Sequence, residues 1–267
     1  MSQNNIVLSD VTFNKFPNGE VVLNEDGFNH IFNYSEAWVA VVVDKPIDDI
    51  VTKLLQVCEY VKLKGFKISL YFHYLPFARY DRSMSEVDIN ALKWFGKLIS
   101  NMVNPEMVYL IDPHSDVAEA VFDCPVNIIK KKEIWDSSFF GYNPFSPTSN
   151  IENDRYIVSP DLGAVKETYE LAKEFQYKNI AIATKVRELS TGKIIASDID
   201  VKDFEGKDVD VFDDICDGGR TFIELAKKMN NTGKKRLFIT HGFFTNAEQF
   251  EELNKLYDEV YYLYDYR

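Results

Sequence analysis

The chain has little with which to staple or anchor itself. Its three cysteines in 267 residues, Cys58, Cys124 and Cys216, are far apart and form no C-x-x-C. That argues against a disulfide framework and a structural zinc site, and fits a reducing cytosol. No apolar run approaches the roughly 18 residues that span a bilayer. Residues Met1–Asn5 lack the charged region and apolar run of a secretory signal. Basic side chains are also scarce: 30 Lys+Arg face 42 Asp+Glu, for a net charge of -12. A surplus of negative charge disfavours nonspecific binding to nucleic acid or to an anionic membrane, while leaving room for a local basic pocket. The expectation is a soluble cytoplasmic protein with neither nucleic acid nor membrane as partner.

What is present is an alternation of two periods. Val39–Val43 is a continuous apolar run suited to a strand buried on both faces. Ile50, Leu54, Val57, Cys58 and Val61 then recur at helical spacing, ahead of Gly65 as a stop. The run 68–74 predicts a second strand, 87–102 a helix entered through a Ser83/Glu86 capping box, and 107–111 a third strand. A similar series follows: strands at 156–158, 179–183, 209–212, 237–240 and 260–264, with helices at 163–175, 221–229 and 247–257. Strands alternating with helices of this length predict an α/β protein with mostly parallel sheets flanked by helices. The Gly, Pro and Ser residues of 139–153 suggest a linker, giving domains 1–140 and 141–267. No internal sequence repeat relates the two.

Ligands of open α/β sheets bind beyond the carboxyl ends of strands, and the chemistry-bearing stretches fall at such ends. Asp213-Asp214-Ile215-Cys216-Asp217-Gly218-Gly219-Arg220-Thr221 joins two acids to a glycine turn and a helix start. Acids there can accept hydrogen bonds from vicinal hydroxyls, and glycine backbone can approach a phosphate; a solvated acidic turn has the same composition. Arg79-Tyr80-Asp81-Arg82 can grip phosphate or form a surface ion pair. Asp112-Pro113-His114 can ligate a divalent ion or simply be solvated. Ser159-Pro160-Asp161 can supply a metal ligand or cap a helix. Lys185 and Arg187, two apart on a polar stretch, can close over a polyphosphate or point to water. Phe16-Pro17-Asn18-Gly19-Glu20 reads as a hairpin tip.

Taken in order, these stretches resemble the ribose-phosphate pyrophosphokinases (phosphoribosyl pyrophosphate synthetases), whose sugar-phosphate loop is shared with type I phosphoribosyltransferases. Residues 213–221 resemble that loop, with Gly218 where Thr and Arg220 where a small residue are usual. Phe16, Asn18 and Glu20 resemble the family's Phe-x-Asp-Gly-Glu, Arg79–Arg82 its Arg-Gln-Asp-Arg, and Asp112–His114 its Asp-Leu-His. Val158–Gly163 resembles Val-Ser-Pro-Asp-x-Gly, Lys185-x-Arg187 the Lys-x-Arg of the catalytic loop, and Thr240–Thr245 the Thr-His-Gly-x-Phe-Ser.

The resemblance implies two tandem type I phosphoribosyltransferase-like domains. It implies transfer of the β,γ-diphosphoryl group of ATP to O1 of ribose 5-phosphate, with Mg2+ as cofactor. On that resemblance Lys185 and Arg187 are catalytic. Phe16, Asn18, Glu20, Arg79, Asp81 and His114 bind ATP, with the first three serving a neighbouring subunit's site. Asp213, Asp214, Asp217, Gly218, Gly219, Arg220 and Thr221 bind ribose 5-phosphate, and His114 and Asp161 serve the metal. A homo-oligomer follows, a dimer at least, with a hexamer also open. Two other readings remain open: a type I phosphoribosyltransferase, against which Lys185-x-Arg187 speaks, and a non-catalytic regulatory relative, which Arg220 favours.

Overall fold

The computed structural model describes residues 4–27, 32, 37–83, 85, 87–136, 153–187 and 194–267. The chain divides into two units, Met1–Lys130 and Lys131–Arg267. The expected linker, up to residue 152, lies outside the described residues, and Asn153 already begins a strand.

The first unit contains β1 (Asn5–Val7), β2 (Phe13–Lys15), β3 (Val21–Leu23), β4 (Trp38–Val43), α1 (Ile50–Leu63), β5 (Lys67–Phe72), α2 (Ala91–Met102), β6 (Met107–Ile111) and β7 (Val126–Ile129). Five strands form a parallel sheet in the order β1-β4-β5-β6-β7, and β2 and β3 pair as a separate hairpin. Because the sheet grows in one direction, right-handed crossovers put α1 and α2 on the same face. There Val39, Val41, Val43, Leu70 and Phe72 meet Leu54, Val57, Leu92, Phe95 and Ile99 in one apolar core. The other face carries Val42 and the stacked pair Tyr71 and Tyr109, ring centroids 4.1 Å apart, all half-buried. An expected helix start at Val87 is corrected to Ala91. Asn90 is the cap, its side chain accepting from Lys93 N at 2.8 Å. Ser83 lies well before it, and Glu86 falls outside the described residues.

The second unit contains α3 (Lys131–Asp136), β8 (Asn153–Ser159), α4 (Val165–Glu174), β9 (Tyr177–Arg187), β10 (Ile194–Ile199), β11 (Val209–Cys216), α5 (Arg220–Ala226), β12 (Lys235–Gly242), α6 (Ala247–Leu256) and β13 (Glu259–Asp265). Its sheet runs β10-β9-β8-β11-β12-β13, parallel except for β10. From the β8/β11 seam the order grows outward both ways, so α4 falls on one face and α5 and α6 on the other. The two faces have separate cores: Ile157, Leu171, Phe175, Phe212 and Phe238 on the α4 side, and Val158, Val211, Phe222, Leu237 and Leu253 on the other. The seam is a topological switch point, where crevices open at the strands' carboxyl ends.

Candidate functional site

In the first unit, three of the singled-out stretches follow strands. The hairpin tip is a tight turn, with Gly19 N donating to Phe16 O and Phe16 N to Glu20 O. Asn18 Oδ1 accepts from Glu20 N at 3.2 Å. Gly19 sits at φ +92, which glycine tolerates without strain. Phe16, Asn18 and Glu20 are all exposed. Gln56 of α1 fixes the hairpin's base: its Oε1 accepts from Leu23 N and its Nε2 donates to Val21 O, each at 2.8 Å.

Past β5, Arg79 and Arg82 are exposed while Asp81 between them is buried. Asn90 binds this loop, its Nδ2 donating to Asp81 O at 2.8 Å, so one side chain caps α2 and holds the arginine turn. Burial alone would raise the Asp81 carboxyl. The Ser115 hydroxyl, the Arg82 guanidinium and the His114 ring outweigh it and hold the group below its usual value. The loops after β5 and β6 are therefore electrostatically joined, which brings His114 together with Asp81. Asp112 turns the chain at φ +40 and is buried, its N–H donating to Ile129 O, while His114 is exposed.

In the second unit the acids gather at the switch point. Asp213 and Asp214 lie within β11 itself, so the expected strand end at Phe212 is corrected to Cys216. Both are half-buried. Desolvation, the neighbouring Asp214 and, more weakly, Asp161 from the end of β8 push the Asp213 carboxyl well up. Lys131 opposes them. Asp161 closes the turn ahead of α4 rather than capping the helix: its Oδ1 accepts from Gly163 N at 2.9 Å and Ala164 N at 3.1 Å, while α4 begins at Val165 rather than Gly163, with Ala164 as its N-cap.

The glycine turn is tied to the loop after β12. Thr245 N donates to Asp217 O, and Thr245 Oγ1 to Asp217 Oδ1 at 2.8 Å. Gly219 is left-handed at φ +89, and a Cβ there would lie 2.8 Å from Leu253 Cδ1. Gly219 thus serves the approach of α6 as well as the turn. Arg220 begins α5, one residue before the expected start, and its exposed side chain makes no hydrogen bond or ion pair among the described residues. Thr221 follows in the same first turn.

Lys185 and Arg187 differ most in setting from the expectation. The strand does not end at Ala183; β9 continues through Arg187 and pairs antiparallel with β10, Lys185 opposite Ser197 and Arg187 opposite Ile194. The two basic residues are on a hairpin arm rather than in a loop. Their side chains and residues 188–193 lie outside the described part, as does His30.

Lys131 is the residue sequence reasoning missed. It is the middle of three consecutive lysines, a pattern that reads as solvated, yet only 2% of it is exposed and its Nζ lies 2.6 Å from Glu167 Oε2. No group of three His, Cys, Asp or Glu among the described residues is arranged to hold a metal alone. The oxygen donors at the switch point suit magnesium in another way, since that ion keeps several waters and takes one or two carboxylates alongside substrate phosphates.

No family model matches the chain. It is 28% identical over 262 residues to a ribose-phosphate pyrophosphokinase of Vibrio cholerae, covering 96% of this chain and 78% of that one. It is 24% identical over 260 residues to the enzyme of that name from Thermotoga maritima, covering 96% and 79%. The crystal structure of phosphoribosylpyrophosphate synthetase from Mycobacterium smegmatis aligns with a TM-score of 0.72 at 19% identity, over 96% of this chain and 86% of that one. The resemblance carried by separate motifs thus extends over nearly the whole chain, and the fold is that of the solved synthetase.

Proposed function

We propose that this protein is a ribose-phosphate diphosphokinase, transferring the β,γ-diphosphoryl group of ATP to O1 of ribose 5-phosphate to give phosphoribosyl pyrophosphate and AMP. The observation that carries this reading is the gathering of Asp161 with the Asp213–Asp214 pair at the β8/β11 switch point. In its support, a glycine turn with an exposed Arg220 follows on the same strand.

Asp213 and Asp214 accept hydrogen bonds from the ribose hydroxyls. Asp217, Gly218, Gly219, Arg220 and Thr221 receive the 5-phosphate, with Arg220 able to donate two parallel bonds. Arg79 and Asp81, with His114 nearby, hold the nucleotide in the first unit. Phe16, Asn18 and Glu20 serve the nucleotide of a neighbouring copy, for which an exposed and clamped hairpin is suited. The unit up to Lys130 serves the nucleotide and the unit from Lys131 the sugar phosphate, ahead of the boundary expected at 140/141.

The O1 hydroxyl attacks the β-phosphorus in line, the bond from that phosphorus to the oxygen bridging to the α-phosphate breaks, and the hydroxyl proton passes to solvent. The protein's main tasks are alignment and charge compensation. Lys185 and Arg187 neutralise the charge that builds on the transferred group and on AMP. Magnesium would add Lewis-acid polarisation of the phosphate oxygens, with His114 and Asp161 each a candidate ligand.

The test is direct: purified protein is incubated with ATP, magnesium and ribose 5-phosphate, and AMP is sought with a labelled sugar diphosphate. Absence of both products would end this reading in favour of a non-catalytic relative, and consumption of phosphoribosyl pyrophosphate with a nucleobase would favour a phosphoribosyltransferase. Lys185→Ala should lower kcat by at least about a hundredfold with little change in nucleotide affinity. Light scattering should give a mass of two copies or more.

A further inference from the structure

We propose that Lys131 is a positioning residue, the built-in counter-cation of the carboxylates at the β8/β11 switch point. Its presence leaves Asp213 and Asp214 open to sugar hydroxyls without a divalent ion bound between them. The inference rests on the sugar-phosphate reading for its ligand, while its electrostatic content stands apart from it.

The argument begins with burial. A lysine with 2% of its surface exposed has left water, and leaving water is costly for an ammonium unless anionic oxygens compensate it. One such oxygen is Glu167 Oε2, 2.6 Å away. Glu167 lies in the first turn of α4, which follows the Asp161 turn after β8, so the ammonium is held at the carboxyl end of β8. That is the end of the sheet at which Asp161 and the Asp213–Asp214 pair are found. Lys131 opens α3, which packs against α4.

Charge gives a second line. Asp161 and Asp214 both push the Asp213 carboxyl up, and Lys131 is the cation that draws it down. Three carboxylates with no internal cation would repel one another and recruit a divalent ion. With an ammonium held at the same end of the sheet by Glu167, part of that charge is offset, and the acids can act as hydrogen-bond acceptors for a neutral polyol.

Two measurements test this. In the first, ribose 5-phosphate binding to the full chain is measured by calorimetry with chelator and with magnesium. The wild type should bind in both, its Kd changing less than about threefold, whereas Lys131→Met should bind about tenfold more weakly or worse in chelator, with magnesium restoring much of the loss. Lys131→Arg should resemble the wild type. In the second, Mn2+ binding is followed by electron paramagnetic resonance with no sugar present. Lys131→Met should take up Mn2+ at least about tenfold more tightly than the wild type, since the acids have lost their internal cation.

A wild type that binds the sugar phosphate only with a divalent ion would overturn the proposal, and that result needs no variant to fold. Equal Mn2+ affinity in wild type and folded Lys131→Met would overturn it too. If Mn2+ affinity rises as stated but ribose 5-phosphate binds neither protein, the counter-cation role is supported and the substrate assignment is what fails.

Discussion

Arg236 and Asp210 form a bidentate ion pair deep in the second sheet, Nε to Oδ1 at 2.6 Å and Nη2 to Oδ2 at 2.5 Å, with Tyr177 OH donating to the same carboxylate. Asp210 is fully buried and Arg236 nearly so. Removing one partner strands a charge away from water. Arg236→Met should therefore cost about 3–5 kcal/mol in urea denaturation, and replacing both partners by apolar residues should recover much of that loss. Gly219→Ala should cost about 1–2 kcal/mol for the left-handed backbone alone, before any shift of Leu253. Asp213 carries a pH signature of its own. Its folded carboxyl is raised well above 3.8, so the folded state retains a proton that the unfolded chain has released. Stability should fall as pH rises from that ordinary value toward the folded one. Denaturation midpoints across this range should slope downward in the wild type and less steeply in Asp213→Asn; equal slopes would contradict the assignment.

Among the elements, the β2–β3 hairpin packs Phe13 and Leu23 on the core and is hydrogen-bonded to α1 through Gln56. Gln56→Ala leaves Leu23 N and Val21 O without their partner, and each lost bond is worth about 1 kcal/mol. Because the loosened segment carries Phe16, Asn18 and Glu20, nucleotide KM should rise while kcat stays near wild type. A fall in kcat with unchanged KM would remove the hairpin from the nucleotide site. At α2, Asn90 joins cap and arginine turn, so a helix boundary and a candidate binding loop are set by one residue. The extension of β9 through Arg187 matters in the same way. A basic pair on a paired strand is held in register by its backbone, whereas the same pair in an open loop would have to be ordered on binding.

For the whole molecule, the two sheets differ in kind. One grows in a single direction and has both longer helices on one face; the other reverses at β8/β11 and is clad on both. Only a reversal opens a crevice between neighbouring strands. The fragment 131–267 should therefore fold alone and bind ribose 5-phosphate, while 1–130 should not bind it. Calorimetry on the separate fragments decides this, and sugar-phosphate binding by 1–130 would reverse the assignment.

The sequence by itself determined the alternation of strand and helix, because hydrophobic period is a local property: β6 falls where its apolar run predicts, and the α1 start at Ile50 follows the helical spacing. It also placed Asp112–His114 and Asp161 past strand ends, since proline and acids mark such ends locally, whereas Asp213, Asp214, Lys185 and Arg187 proved to lie within strands. Only the tertiary structure decided what depends on residues distant in the chain. Strand order made β8/β11 the switch point, pairing with β12 carried β11 past Phe212, and β10 carried β9 past Ala183. The burial of Lys131 against Glu167 belongs to the same class. Local pattern cannot distinguish a solvated lysine from a buried one, because what compensates its charge is supplied from 36 positions away.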